Sequence, residues 1–272
     1  MRLRIVALLL AGVVCLPRGA WAAPILPTAN ADANALLAAL LGTTTGLSGF
    51  SASLTGDPTA SGLFGANPFG LTGGVVLSTG RVVDLVGPNT ADAFGLDLGG
   101  SGEPGDATKL SVSFVSDATV TNLFFNYVFG SEEFTEFIGL QFNDTFSLAL
   151  DGTNFAVLQC GRPVEVNSFD QANCEAELVS NGGGPDTQLD GFTVPLLFSA
   201  QLTPGPHTLE FSIADFGDGT KDSAVFVQSG SLRTVLNQEP QEPTPAPVPE
   251  PSTFILLVTG VLGVAAARWR NR

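Results

Sequence analysis

The sequence predicts an all-β fold: a single β-sandwich or jelly-roll-like domain with one short N-terminal helix. Apolar and polar residues alternate with a period of two in several segments, which is typical of strands with one buried face. Clusters of Gly, Asn, Asp and Pro separate these segments at short intervals, as in sandwiches. The alternating segments cover residues 110–114, 123–129, 146–150, 192–198 and 207–213. Because Phe recurs at alternate positions, we expect Phe125, Phe129, Phe146 and Phe211 in the core rather than on a sugar-binding surface.

The short helix is predicted near the start of the domain. Asp32 is a good N-cap residue, and Gly42 is a common residue at a helix end. The leucines that fall on one side of this helix are Leu36, Leu37, Leu40 and Leu41. We therefore expect the helix to cover an edge or an end of the sandwich.

An N-terminal signal helix is predicted over residues 1–22. Arg2 and Arg4 precede an apolar run over residues 5–14, and Ala20-Trp21-Ala22 supplies the small residues that a signal peptidase needs. Cys15 lies within this segment and is removed with it. The mature protein is therefore expected to leave the cytoplasm.

The C-terminus predicts a transmembrane helix inside a sorting signal. Pro249, Glu250 and Pro251 precede an apolar stretch over residues 253–267, and a basic tail over residues 268–272 follows. Fifteen helical residues rise about 22 Å, which is short of the roughly 30 Å hydrocarbon core, so the anchor is marginal. The basic residues that should keep the tail in the cytoplasm are Arg268, Arg270 and Arg272.

This order of Pro-Glu-Pro, apolar helix and arginine cluster resembles the PEP-CTERM sorting signal. The resemblance implies processing by an exosortase in a Gram-negative bacterium that makes exopolysaccharide. It also implies an intermediate anchored in the inner membrane, before the protein reaches the cell surface or the extracellular matrix. An ordinary tail anchor is the alternative interpretation.

Four regions follow from these signals. Residues 1–22 form the signal peptide, residues 23–236 the β domain, residues 237–248 a linker, and residues 249–272 the sorting signal. The linker is rich in Pro, Glu, Gln and Thr, a composition that favours extended polyproline II. At about 3.1 Å per residue, it would hold the domain some 40 Å from the membrane or cell surface.

Charge and cysteine content agree with export. Residues 23–248 contain 25 acidic and five basic side chains, and five minus 25 gives a net charge of −20. Such an acidic surface disfavours binding of nucleic acid and anionic lipid and favours binding of metal cations. The alternative is that the charge only keeps an exported protein soluble. Cys160 and Cys174 are an even pair in an oxidising compartment, which predicts a disulfide.

Several sequence blocks resemble the choice-of-anchor L domain of exported bacterial proteins. The blocks are GGVVLSTG at 73–80, FNYVFGSEEF at 125–134, FND at 142–144, LDGFTV at 189–194, and IADFGDG with DSAVF within 213–226. The resemblance covers roughly Asp32 to Leu232. It implies a surface domain that occurs with different C-terminal anchors and has no established catalytic residues. Phe134 and Phe216 depart from the family pattern, but neither change removes a carboxylate.

Two of these blocks concentrate acidic residues next to glycines. Calcium takes six to eight oxygen ligands, which Asp-rich and Gly-rich loops between strands can supply. The predicted calcium ligands are Glu132, Glu133, Asp144, Asp215, Asp218 and Asp222. The alternative is that Asp215 and Asp218 shape Asx turns and that the glutamates face solvent.

These features predict an exported, surface-anchored, non-catalytic protein of the extracellular polysaccharide matrix. Adhesion, carbohydrate binding and scaffolding remain open as its role, with the exosortase, matrix components and, transiently, the inner membrane as partners. The alternative is a jelly-roll glycoside hydrolase that uses the acidic residues around Glu132–Glu136. If Glu132 and Glu136 lie on one strand, about 13 Å separates them, beyond the roughly 5–9.5 Å that a carboxylate pair requires. His207 is the only histidine, which disfavours the usual nucleophilic and zinc sites.

Overall fold

The described part of the chain forms a sandwich of two antiparallel sheets. The structure is a computed structural model, and it describes residues 24–65, 69–90, 107–170, 174–182, 186–217 and 221–235. The predicted signal peptide, linker and sorting signal lie outside these residues. Within these ranges, no helix has the length and apolar character needed to cross a bilayer. The predicted β-sandwich is confirmed.

Fourteen strands are present in the described ranges. They are β1 (Thr28–Ala29), β2 (Leu47–Thr55), β3 (Ser61–Phe64), β4 (Gly74–Ser78), β5 (Ala107–Ser116), β6 (Asn122–Ser131), β7 (Thr145–Leu150), β8 (Thr153–Asn154), β9 (Val164–Glu165), β10 (Leu178–Ser180), β11 (Gly191–Thr193), β12 (Leu196–Gln201), β13 (Gly205–Ala214) and β14 (Ser223–Gln228). The larger sheet has the order β1-β3-β4-β14-β6-β11-β10, with β12 also paired to β6. The smaller sheet has the order β2-β5-β13-β7-β8, with β9 also paired to β7.

The main core lies between the two sheets and is rich in phenylalanine. Phe125 of β6 stacks on Phe198 of β12 with ring centroids 4.2 Å apart. It also contacts Phe211 of β13 across the sandwich, at 5.2 Å. Phe125, Phe129, Phe146 and Phe211 are all buried, which confirms their predicted place in the core.

The larger sheet buries its outer face as well. Val76, Val128 and Phe226 lie on adjacent strands of that face and pack against Phe69 and Leu85 from connecting segments outside the sheet. A strand buried on both faces loses the apolar and polar alternation of a half-exposed strand. This explains why β6 and β14 are buried along most of their length.

The alternating segment over residues 192–198 is two strands rather than one. β11 ends at Thr193 and β12 begins at Leu196, and both pair with β6. Pro195 lies in the break. Because proline has no N–H to donate to a ladder, it interrupts pairing with a central strand. The prediction of one continuous strand was therefore wrong in this detail.

The predicted helix is confirmed as α1 (Ala33–Leu40). The Asp32 side chain accepts hydrogen bonds from the backbone N–H groups of Asn34 and Ala35, at 2.9 and 3.4 Å. Leu36, Leu37 and Leu40 are buried, whereas Leu41 is the C-cap residue, is half-buried and lies outside the helix. The helix packs against β2, β3 and β4, so it closes one side of the sandwich.

The predicted disulfide between Cys160 and Cys174 is confirmed. The two Cα atoms are 5.4 Å apart, and Cys174 is fully buried in the main core. Both cysteines lie in the long connection between β7 and β10, so the bond closes a loop within that connection.

Candidate functional site

The acidic residues lie at one end of the sandwich, where strands of both sheets end. In the larger sheet, Ser131 at the end of β6 pairs with Ser223 at the start of β14. Glu132 and Asp222 are the next residues along, so the ladder places them side by side. The Asp222 carbonyl accepts a hydrogen bond from the Glu132 backbone N–H at 3.1 Å. The Asp222 N–H donates to Oε2 of Glu132, also at 3.1 Å.

The smaller sheet places two aspartates at the same end. Ala214 at the end of β13 pairs with Thr145 at the start of β7, and Asp215 and Asp144 are the residues just beyond this pair. Oδ1 of Asp144 accepts a hydrogen bond from the backbone N–H of Phe216 at 3.1 Å. Both aspartates are therefore fixed by the antiparallel register of β7 and β13.

Glu133 joins the acidic residues of the two sheets. It follows β6 of the larger sheet, and its Oε2 accepts a hydrogen bond from the backbone N–H of Asp144 at 3.2 Å. The Glu133 N–H is held by Oγ of Ser131 at 2.9 Å. The structure therefore brings together the two acidic loops that the sequence analysis treated as one predicted site.

The five described members of this acidic cluster are buried. Glu132, Glu133, Asp144, Asp215 and Asp222 expose between 0% and 3% of their surface. Carboxylates are rarely buried to this degree unless a partner offsets their charge. The alternative prediction, that the glutamates face solvent, is therefore wrong.

Electrostatics at Asp144 reflect this burial. Burial raises the pKa of Asp144 well above its usual range, and the nearby Glu133 charge raises it further. The nearby Ser223 hydroxyl, the Phe216 N–H and Asp215 oppose the rise. The Ser223 hydroxyl is thus close to Asp144, yet Oδ2 of Asp144 and Oγ of Ser223 make no hydrogen bond of ordinary length and angle within the described residues.

The block around β4 supplies polar contacts to the acidic cluster that the sequence analysis did not assign. Thr79 Oγ1 donates to Oδ1 of Asp222 at 3.3 Å and accepts from the Ser223 N–H at 2.9 Å. Gly80 lies so close to the Asp222 carboxylate that a Cβ atom there would collide with it. The glycines that bracket GGVVLSTG were the available signal, because glycine permits a close backbone approach.

The calcium site stays a prediction. Asp218 lies outside the described residues. Across the parts of the chain that the structure describes, no three Asp, Glu, His or Cys side chains are arranged to hold a metal ion between them. Calcium also accepts backbone carbonyl, hydroxyl and water oxygens, so carboxylates alone do not define its site.

The two glutamates considered for catalysis, Glu132 and Glu136, do not lie on one strand. β6 ends at Ser131, so Glu132 and Glu136 lie in the bends and turns that follow it, with Glu132 buried and Glu136 exposed. His207 is largely buried, with Nδ1 at 2.7 Å from Oδ2 of Asp151 and Nε2 at 2.6 Å from the Thr203 carbonyl. Both ring nitrogens of the single histidine are thus engaged within the domain.

Two family matches place this β-sandwich in the class of exported surface proteins. The chain belongs to the choice-of-anchor L domain family, whose family model matches residues 28–233. The PEP-CTERM protein-sorting motif matches residues 247–271. It indicates export to the surface of a Gram-negative bacterium and implies processing by an exosortase.

Other comparisons add little. No curated protein matches the chain. Among solved structures, the enzymatically active domain of bacteriophage CBA120 tailspike protein 4 is similar over 67% of this chain and 19% of that one. The identity is 8% and the TM-score 0.23, which is too low a likeness to support an argument about fold or activity.

Proposed function

We propose that this surface-anchored protein is a non-catalytic component of the extracellular polysaccharide matrix, and that a calcium ion bound at the acidic cluster stabilises its domain. The observation that carries the proposal is the burial of five carboxylates from both sheets at one end of the sandwich. Ligands contributed by both sheets would let one ion fasten the sheets together.

Burial of the acidic cluster favours a bound cation over a set of uncompensated negative charges. Ionised carboxylates lose their hydration when they are buried, and neighbouring negative charges repel each other strongly in a medium of low dielectric constant. Either protons or a cation must offset this charge at neutral pH. Oδ2 of Asp144 and Oγ of Ser223 are buried oxygens that lack ordinary hydrogen bonds within the described residues, and both are suitable calcium ligands.

The same geometry supports a holding role over a catalytic one. A glycoside hydrolase needs two carboxyl groups open to a sugar on both sides of the scissile bond. Here Glu132, Glu133 and Asp144 are buried and accept hydrogen bonds from backbone N–H groups. Such contacts are those of carboxylates that shape a fold.

Calcium dependence of thermal unfolding tests the stabilising ion. The exported protein, purified in the form that cells release, is unfolded with EDTA and with millimolar calcium. At a hundredfold excess over Kd, calcium should stabilise by about 2.7 kcal/mol and raise Tm by roughly 5–10 °C. Asp144→Asn keeps an oxygen acceptor for the Phe216 N–H but removes the charge, so it should abolish most of this rise. Asp117→Asn, at an exposed aspartate, is the matched control and should keep it.

The contrary outcome is a cluster whose negative charge is offset by protons rather than by calcium. Because a raised pKa means that the folded state binds more protons than the unfolded state, a proton-balanced cluster would lose stability as pH rises. A calcium-insensitive Tm that falls steadily from pH 5 to pH 7 would rule out the calcium proposal.

Product analysis tests the class of function. Protein incubated with exopolysaccharide from the producing cells should sediment with the polymer and leave its chain length unchanged. Release of reducing ends that is lost in Glu133→Gln would instead establish a hydrolase.

A further inference from the structure

A groove of about 510 Å³ lies beside the disulfide, apart from the acidic cluster. Three segments form it: the turns after β6, the end of the short 3-10 helix over residues 166–170, and the chain that leads into and along β10. Its volume falls within the range of roughly 300–1,000 Å³ that is usual for small-ligand sites. Sequence analysis did not identify it, because its residues are spread over more than forty positions.

The groove combines a polar rim with an apolar floor. Thr135 and Ser180 contribute hydroxyl groups, and Asp170 and Glu175 contribute carboxylates, and all four residues are exposed. The apolar residues of the groove are Ile138, Phe169 and Leu178. Phe169 is buried, while the other two are half-buried.

We propose that this groove binds a stretch of uncharged polysaccharide chain. A sugar ring has a face of C–H groups that packs on apolar side chains, and a rim of hydroxyls that donate to carboxylates. Hydrogen bonds to charged acceptors are stronger than those between neutral groups. The inference rests on the matrix role proposed above and identifies the chemical class of the partner.

Charge decides which saccharides fit. Arg162 offsets the charge of Asp170, so Glu175 supplies the uncompensated carboxylate of the rim, and the exported domain is strongly acidic overall. Uronic acid chains would bring like charges together, which costs binding energy. The groove therefore favours neutral sugars over acidic ones.

Covalent and ionic contacts hold the rim in place. The disulfide fixes Cys174, the residue directly before Glu175, to Cys160. Asp170 Oδ1 pairs with Nη1 of Arg162 at 2.7 Å, which leaves its second oxygen to accept from a ligand. A site whose groups are already positioned loses less entropy when the ligand binds.

Calorimetric titration of the exported protein tests this inference. The probes are hexasaccharides of glucose, mannose and galactose, with an oligogalacturonate of the same length for comparison. At least one neutral hexasaccharide should bind and the oligogalacturonate should not. Glu175→Gln and Leu178→Ala should each weaken binding about tenfold, by loss of a charged acceptor and of apolar contact. Glu136→Gln removes the same charge next to Thr135 but outside the groove, and should bind like the unaltered protein.

The outcomes separate this inference from the matrix role. Cooperative thermal unfolding, with a Tm well above the temperature of the titration, establishes that each variant is folded. Binding that is unchanged in both groove variants, or absent for every neutral hexasaccharide, overturns the groove assignment. If the unaltered protein still sediments with native exopolysaccharide in either case, the matrix role stands. Failure to sediment overturns the matrix role as well.

Discussion

Glu132 and Asp222 hold each other through two hydrogen bonds that continue the ladder between β6 and β14. The Glu132 N–H donates to the Asp222 carbonyl, and the Asp222 N–H donates to the Glu132 side chain, each at 3.1 Å. One carboxylate thus replaces the backbone acceptor that the next ladder position would have supplied. This makes Glu132 part of the fold as well as part of the acidic cluster.

Substitution of Glu132 should separate these two roles. Glu132→Ala removes the acceptor of the buried Asp222 N–H and should lower the free energy of unfolding by about 1–3 kcal/mol. Glu132→Gln keeps an oxygen at this position and should stay within about 0.5 kcal/mol of the unaltered protein in calcium-free buffer. Urea unfolding measures both. Equal losses in the two variants would show that the charge, not the acceptor, is what matters.

Addition of a methyl group at Gly80 should disturb the acidic cluster. A Cβ atom there would collide with the Asp222 carboxylate, which is buried and accepts a hydrogen bond from Thr79. Overpacking of this kind costs about 1–3 kcal/mol, so Gly80→Ala should lower the free energy of unfolding by that amount. Gly182→Ala is the matched control, because a Cβ there meets no atom within 4 Å. Similar stability of the two variants in urea would contradict this account.

His207 and Asp151 should give the domain a pH-dependent stability. Burial alone lowers the pKa of His207, but hydrogen bonds to Asp151 and to the Thr203 carbonyl, with the charge of Asp151, raise it above 6.5 overall. This stabilisation is complete below the unfolded pKa and is lost as pH rises through the raised folded value. Because Asp151 is about half exposed, the loss between pH 6 and pH 9 should be below about 1 kcal/mol.

Asp151→Asn isolates that contribution. Asp151 has a φ of 51°, a left-handed conformation that Asn tolerates, and its Oδ1 accepts from the Thr208 N–H at 2.9 Å. Asn preserves the turn and this acceptor but removes the charge. Urea midpoints measured across this pH range should change less in the variant. An unchanged slope would assign the pH dependence to other groups.

Loss of the disulfide should destabilise the domain by about 3 kcal/mol. Cys160 and Cys174 are 14 positions apart, and opening a loop of this size restores conformational entropy to the unfolded chain. The double variant Cys160→Ser with Cys174→Ser should therefore unfold at lower urea concentration, and reduction of the unaltered protein should give a similar loss. Unchanged stability after complete reduction would show that packing alone holds this connection.

The fold could be predicted where local pattern and burial agree. Strands β5, β7 and β13 alternate because one face of the smaller sheet is buried. The N-cap of α1 and the disulfide depend on residue type and compartment, which the sequence also shows. The break at Pro195 was missed because the apolar residues on both sides continue one alternating pattern.

The sequence predicted which residues form the acidic cluster but did not predict that they are buried. The sequence shows which residues are acidic, but solvent exposure depends on how the ends of two sheets meet. Burial of Glu132 and Glu133 follows from the pairing of Ser131 with Ser223, a contact across 92 positions. Thr79 joins the cluster through a comparable long-range pairing, between β4 and β14.

The place of β14 in the larger sheet has a consequence for secretion. β14 lies between β4 and β6, although it comes last in the chain among the described strands. Without residues 223–228, no backbone ladder among the described strands joins the half of the sheet that contains β4 to the half that contains β6. If the chain crosses a membrane from its N-terminus, we therefore expect the larger sheet to stay open until β14 has followed, so that the sheet closes only when the domain has been delivered.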